Sequence, residues 1–187
     1  MDVERLRVET AAAHEAVEGV IPLMKADLKR EEYAACLGRL HGVVGAWEEV
    51  SEVAAPEEWI GELLKARRRR HLLEQDLKFL GVVEMRPERP VLPKMSDEAN
   101  LLGAMYVMEG STLGGQLIAR HMEATLNFEA GEGDSYFRGH GPRTGPMWKE
   151  FCDVLRARVP NGDSDAVIRS AREMFYVFGR WMQGMVI

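Results

Sequence analysis

Along most of the chain the apolar positions recur at steps of three and four, the period of an α-helix packed on one face. Between Asp2 and about Val17, Val3, Leu6, Thr10, Ala13 and Val17 share one face, with Asp2 as the N-cap and Gly19 and Pro22 closing the segment. From Glu31 to about Ala54, Tyr33, Leu37, Leu40, Val44 and Trp47 predict a second, longer helix that ends before Pro56. A third is predicted from about Glu57 to Leu80, acidic at its start, basic in the middle and stopped by Gly81. Pro87, Pro90 and Pro93 then force an extended surface loop. Ser96, Asp97 and Glu98 open a helix running to about Leu126 that carries Gly103, Gly110, Gly114 and Gly115 within an apolar pattern. A glycine-rich stretch around SYFRGHG reads as a long mobile connection. Two final helices are predicted, about Met147 to Arg158 and Ala166 to Gln183, separated by PNGDSD, the last with Val167, Ala171, Met174, Phe178 and Trp181 on one face. No strand, fixed-period repeat or low-complexity tract is evident, so the expected architecture is an all-α, single-domain helical bundle over residues 1–187.

Composition narrows the class. The 187 residues hold 24 Lys+Arg against 30 Asp+Glu, a formal charge of −6, and 46% are apolar, which argues against disorder and against general nucleic-acid binding. No apolar run approaches the length of a bilayer span, and MDVERLRVE lacks the basic-then-apolar order of a signal segment, so a cytoplasmic protein is expected. With only Cys36 and Cys152 and no CxxC pair, reduced, buried thiols are expected.

Two features could carry chemistry. Four helix-interior glycines cost about 1 kcal/mol each relative to alanine, so the missing side chains must permit something in return. At about 100° per residue, Gly103, Gly110 and Gly114 fall within about 40° of one another and present bare backbone, against which either a flat ligand or a neighbouring helix could lie. The Gly114–Gly115 pair is a natural place for a bend. His14 is the second feature: seven residues after Arg7, it projects from the same face about 10 Å further along the axis. That face offers an imidazole, a common iron ligand, and a guanidinium, the natural partner of a carboxylate. The run KARRRRH, Lys65 to His71, has no interleaved aromatics and reads as a solvated helix face, with docking of an acidic electron donor as the alternative. His41 and His71 lack partners at metal-ligand spacing, His121 could approach a pocket near the bend, and His140 could sit in a lid. Phe175 and Phe178 read as core before pocket lining.

The strings LRVETAAAHEAVE, LGAMYVMEGSTLGGQLIARH, YFRGHGPRTGPMWKEF and MFYVFGRWM together resemble the haem oxygenase family, in its bacterial, biliverdin-producing branch, over nearly the whole chain. The resemblance implies a bundle with haem b sandwiched between a proximal and a distal helix, haem being cofactor and substrate at once. It would be cleaved with O2 and external electrons to biliverdin, carbon monoxide and ferrous iron. It makes His14 the axial iron ligand, and Arg7, Tyr106 and Lys149 the partners of the haem propionates. Gly110, Ser111, Gly114 and Gly115 become the distal segment, whose backbone passes over the iron-bound oxygen. Animal members carry an aspartate where this chain has Ser111, which would leave proton delivery to Ser111, backbone carbonyls and ordered water. Ferredoxin or a flavoprotein reductase is the implied electron donor, and a phytochrome or an iron-recovery route the implied destination of the bilin. Two rivals share the scaffold: a haem-sequestering or sensing protein without turnover, and a different helical enzyme, of the thiamin-degrading or quinone-cofactor type, that has no use for His14 with Arg7.

Overall fold

The structure, a computed structural model, describes residues 1–55, 57–84, 88–159 and 163–184. Pro56, Pro87 and residues 160–162 of the PNGDSD turn lie outside the described residues. Among those described, every regular element is helical: α1 (Val3–Glu18), α2 (Arg30–Ala54), α3 (Glu58–Lys65), α4 (Arg70–Phe79), α5 (Glu98–Gly110), α6 (Gly115–Leu126), α7 (Ser135–Arg138), a 3-10 turn (Gly141–Arg143), α8 (Thr144–Arg158) and α9 (Ser164–Met182). No described helix is long and apolar enough to cross a membrane.

The N-terminal half of α1 follows its sequence signals. Asp2 caps it by accepting from the Glu4 amide at 2.9 Å, and Leu6 and Thr10 are buried. α9 is the axis of the packing, with Val167, Ala171, Met174, Phe178 and Trp181 all buried. α1 lies parallel to it: Arg5 pairs with Asp165 at 2.6 Å, Arg172 with Glu9 at 2.9 Å, and the His14 ring meets Phe175. α5 runs antiparallel to α9, because Ser170 donates to the Asn100 carbonyl at 2.6 Å while Gly103 faces Val167. A Cβ on Gly103 would collide with the Val167 carbonyl, so that glycine serves close helix contact.

Three expectations are corrected. The helix predicted from Glu57 to Leu80 is two helices, with a break over residues 66–69 that no glycine or proline announces. The break turns Arg67 and Arg69 inward, to 8% and 4% exposure, so the basic run is not a solvated face at those two positions. The Arg69 and Arg70 amides at the start of α4 are capped by Glu48 of α2 at 2.7 and 2.9 Å. The segment around SYFRGHG, expected to be mobile, is tied down. The buried Asp76 carboxylate accepts from the Ser135 and Tyr136 amides at 2.9 and 2.8 Å, and Asp134 from the Gly131 amide and Arg138 Nε at 2.8 and 2.7 Å. Tyr33 donates to the Gly133 carbonyl at 2.7 Å. Finally, the helix predicted to span Glu98 to Leu126 is interrupted by a turn over residues 111–114, close to where the paired glycines suggested a bend. Cys36 and Cys152 are free and buried, and burial pushes the Cys36 thiol up to about 12.

Candidate functional site

α1 carries the first wall of the site. His14 sits near its C-terminal end with a side chain 54% exposed, and its ring is edge-on to Phe175 of α9 at 5.8 Å. Phe175 and Phe178 are both buried; they belong to the core, and Phe175 also braces the imidazole. Nδ1 lies 3.6 Å from Glu18 Oε2, one turn on. Among the described residues Nε2 has no protein partner. A carboxylate beside Nδ1 favours the tautomer that leaves the Nε2 lone pair open, the usual arrangement of a metal-binding histidine. Glu18 was not singled out from the sequence, although its spacing from His14 was there to read.

One turn before His14, Thr10 donates to the Leu6 carbonyl at 2.8 Å and lies within reach of the Tyr106 hydroxyl of α5. Burial pushes the Tyr106 phenol up, and the Thr10 hydroxyl and the Arg7 cation pull against that rise. The Arg7 guanidinium is exposed and held by Glu4, Nε to Oε2 at 3.0 Å and NH2 to Oε1 at 2.6 Å.

The second wall is the end of α5, the turn after it and α6. A Cβ at Gly110 would meet only Trp148, at 3.9 Å, and one at Gly114 would meet nothing within 4 Å. Gly115 differs: its Cβ would run into the Phe137 carbonyl, so this glycine lets α6 rest on α7. Ser111 donates to the Met108 carbonyl at 2.7 Å, and its oxygen accepts from Arg69 at 3.3 Å. One face of α6 carries Leu117 and His121, a turn apart. His121 Nε2 donates to the Lys25 carbonyl at 3.0 Å, beyond the end of α1, whereas Leu117 is 64% exposed.

α1 packs along α9 and α6 along α7, not along each other. The two walls meet at Tyr106 with Thr10 and again at His121 with Lys25. Those ties join α1, which carries His14 and Arg7, and the segment after it to α5 and α6, which flank Gly110 and Gly114 and carry Leu117. These elements together offer an exposed imidazole, a guanidinium, main chain without side chains and an unpacked leucine, groups of the kinds suited to a flat apolar ligand that carries a metal and carboxylates.

The sequence profile of the heme oxygenase family matches residues 2–184. The chain belongs to that family. A heme oxygenase of Xanthomonas campestris pv. campestris (strain 8004) is 30% identical over 161 residues, 79% of this chain and 87% of the relative. The NO- and CO-bound heme oxygenase of Neisseria meningitidis superposes with a TM-score of 0.76 at 25% identity, covering 98% of this chain and 92% of that one. Heme oxygenase 2 of Chlamydomonas reinhardtii, solved without heme, shares the fold at a TM-score of 0.80 and 15% identity, over 98% and 96% of the two chains. Membership places the chain in an enzyme family and confirms the all-α fold of the haem oxygenase type.

The family's remaining expected positions are placed as follows. Lys149 is exposed, 3.5 Å from Asp153, and lines a groove of about 590 Å³ with Trp59 and Arg158; no contact among the described residues joins it to Arg7, Tyr106 or His14. His41, which the sequence left without partners at metal-ligand spacing, is buried against Glu74 and Arg70. His140 is partly buried with no partner for Nε2, and burial, then the cations of Arg69, Arg143 and Arg67, push it down to about 4. The inward arginines are what the sequence reading missed. Arg67 Nε bonds Glu109 at 2.9 Å and Arg69 bonds the Met108 carbonyl at 3.0 Å, on either side of the last turn of α5. Nothing in a run of four arginines says which two turn in.

Proposed function

We propose that this chain is a haem oxygenase that opens haem b to biliverdin, carbon monoxide and ferrous iron, using O2 and external electrons. One observation supports the reading: a half-exposed His14 has a carboxylate 3.6 Å from Nδ1 and, among the described residues, no partner for Nε2, on a helix tied by Thr10, and by Lys25 beyond its end, to the elements that flank the bare main chain of Gly110 and Gly114. Haem, when bound, supplies the iron that activates O2 and the meso carbon that is oxidised. The rest belongs to the protein. His14 would hold the iron as a neutral ligand, Glu18 would orient the ring, and Phe175 would brace it. Among the described residues Arg7 is paired with the exposed Glu4, a pair that a propionate can displace, and Tyr106 feels the Arg7 charge. Lys149 would approach a propionate only by leaving Asp153.

Gly110 and Gly114 would let the backbone approach the ligand while offering no acid, and the exposed Leu117 would shield its edge from water. Gly115 contributes by seating α6. Ser111 already donates to the Met108 carbonyl, so its role toward the ligand is to anchor water through its oxygen. Ferredoxin or a flavoprotein reductase would supply the electrons in the cytoplasm, and a phytochrome or iron recovery would use the products.

The test is spectroscopic. Haemin added to the protein gives a histidine-ligated Soret band that His14→Ala weakens or reshapes; a spectrum identical to free haemin defeats the reading. Ascorbate, or ferredoxin with its reductase, then bleaches the band in air and yields biliverdin absorption. A complex that survives unchanged is instead the sequestering or sensing protein.

A further inference from the structure

We propose that Arg69, seconded by Arg67, is a positioning residue that fixes the course of the main chain from Gly110 to Gly114, and through it the distal wall of the proposed haem site. The proposal deepens the haem reading above and rests on it for its spectroscopic arm only.

The end of α5 has a problem that its own sequence does not solve. Its last carbonyls carry the negative pole of the helix, no basic residue lies in its last turn, and the buried Glu109 adds a carboxylate there. Gly110 and Gly114 have no side chains to hold the following turn, and a Cβ at Gly114 would touch nothing. Ser111 and Thr112 donate back to the Met108 and Glu109 carbonyls at 2.7 Å each, bonds that travel with the turn wherever it goes. Anchorage must come from elsewhere.

Two guanidiniums from the break between α3 and α4 provide it. Arg69, 4% exposed, donates through NH2 to the Met108 carbonyl at 3.0 Å and to Ser111 Oγ at 3.3 Å, bracketing Gly110. Its own place is set by Tyr136, whose ring lies 4.8 Å from the guanidinium, and by Glu48 on its amide. Arg67 donates to Glu109 at 2.9 Å, to Glu150 at 2.7 Å and to the Met147 carbonyl at 3.1 Å. It thereby fastens the first turns of α8, and Trp148 with them, over Gly110. A planar fork that reaches two acceptors in fixed directions is what arginine offers and lysine does not. Main chain that two glycines leave free is held on one course by side chains 40 residues earlier.

The test compares Arg69→Met and Arg69→Lys with Arg68→Gln, which removes only the neighbouring exposed pair with Glu52. In the ligand-free protein, amides 111–117 of Arg69→Met exchange with solvent about tenfold faster or more while those of α9 keep wild-type rates, since a local opening spares the core. Uniform acceleration that includes α9 would be plain destabilisation and overturns the proposal. In the haem-loaded protein under carbon monoxide, the C–O stretching band, which senses the field of the wall opposite His14, shifts and broadens in Arg69→Met, moves back partway in Arg69→Lys and is unchanged in Arg68→Gln. A folded Arg69→Met with wild-type exchange and a wild-type band also overturns it. Should Arg69→Met not fold, Arg69→Lys decides by the same readings. Should the wild type bind no haem through His14, the functional reading falls and the exchange rates alone judge the clamp.

Discussion

Nδ1 of His14 lies 3.6 Å from Oε2 of Glu18, one helical turn further along α1. A carboxylate at this position can hold the ring in one orientation, and outer partners of metal-binding histidines are typically worth about 10- to 100-fold in metal affinity. Glu18→Gln is expected to weaken haemin binding by about tenfold, with the helical content unchanged. Titration of haemin at the Soret maximum checks this; an unchanged affinity would leave Glu18 a bystander.

The paired glycines are predicted to part ways. Gly115→Ala forces a methyl into the Phe137 carbonyl and should cost about 1–3 kcal/mol in urea unfolding, the usual range for overpacking. Gly114→Ala projects its methyl into open space and should change stability by no more than about 0.5 kcal/mol, yet weaken haemin binding or alter the ratio of bilin isomers. Equal stabilities for the two variants would contradict the packing described.

Asp76→Ala removes the acceptor of the Ser135 and Tyr136 amides, in a region where the side chain has no exposure. Hydrogen bonds to a charged group are worth about 1.5–3 kcal/mol, so a loss of about 3 kcal/mol is expected, with faster amide exchange over residues 135–140. Thermal and urea unfolding measure the first, and exchange mass spectrometry the second.

His140 sets part of the acid stability. Its folded value is pushed down to about 4, below the ordinary value of an unfolded chain, so the unfolded state binds the proton first as pH falls. Its contribution is complete above about 6.5 and is lost as pH drops toward 4. His140→Asn should flatten the stability curve across that window, and should be no more acid-sensitive than the wild type. A variant whose curve keeps the full wild-type slope between those limits would remove His140 from the account.

The candidate residues of α1 and α5 were legible because they are written in local spacing. His14 and Arg7 share one helical face, and four glycines in an apolar helix announce a backbone that something must approach. The same pattern could not separate the glycines by task. Gly103 serves α9, Gly115 serves α7, and Gly110 and Gly114 face Trp148 and open space, a division set by whichever element packs opposite. Lys149 shows the reverse limit: a resemblance in sequence places it with Arg7 and Tyr106, whereas its helix directs it to Asp153.

By itself the sequence determined the helical class, the ends of α1, α2, α8 and α9 to within a few residues, the buried face of α9 and the sharing of one helical face by His14 and Arg7, because these follow from a period of 3.6 and from caps adjacent in the chain. Only the tertiary structure decided that one predicted helix breaks at residues 66–69, that Arg67 and Arg69 turn inward, and that the glycine-rich stretch after α6 is pinned by Asp76. The physical reason is common to all three: a buried charge is settled by partners that fold brings together from distant parts of the chain, and the energy of those pairs exceeds any local preference for continuing a helix or leaving a loop free.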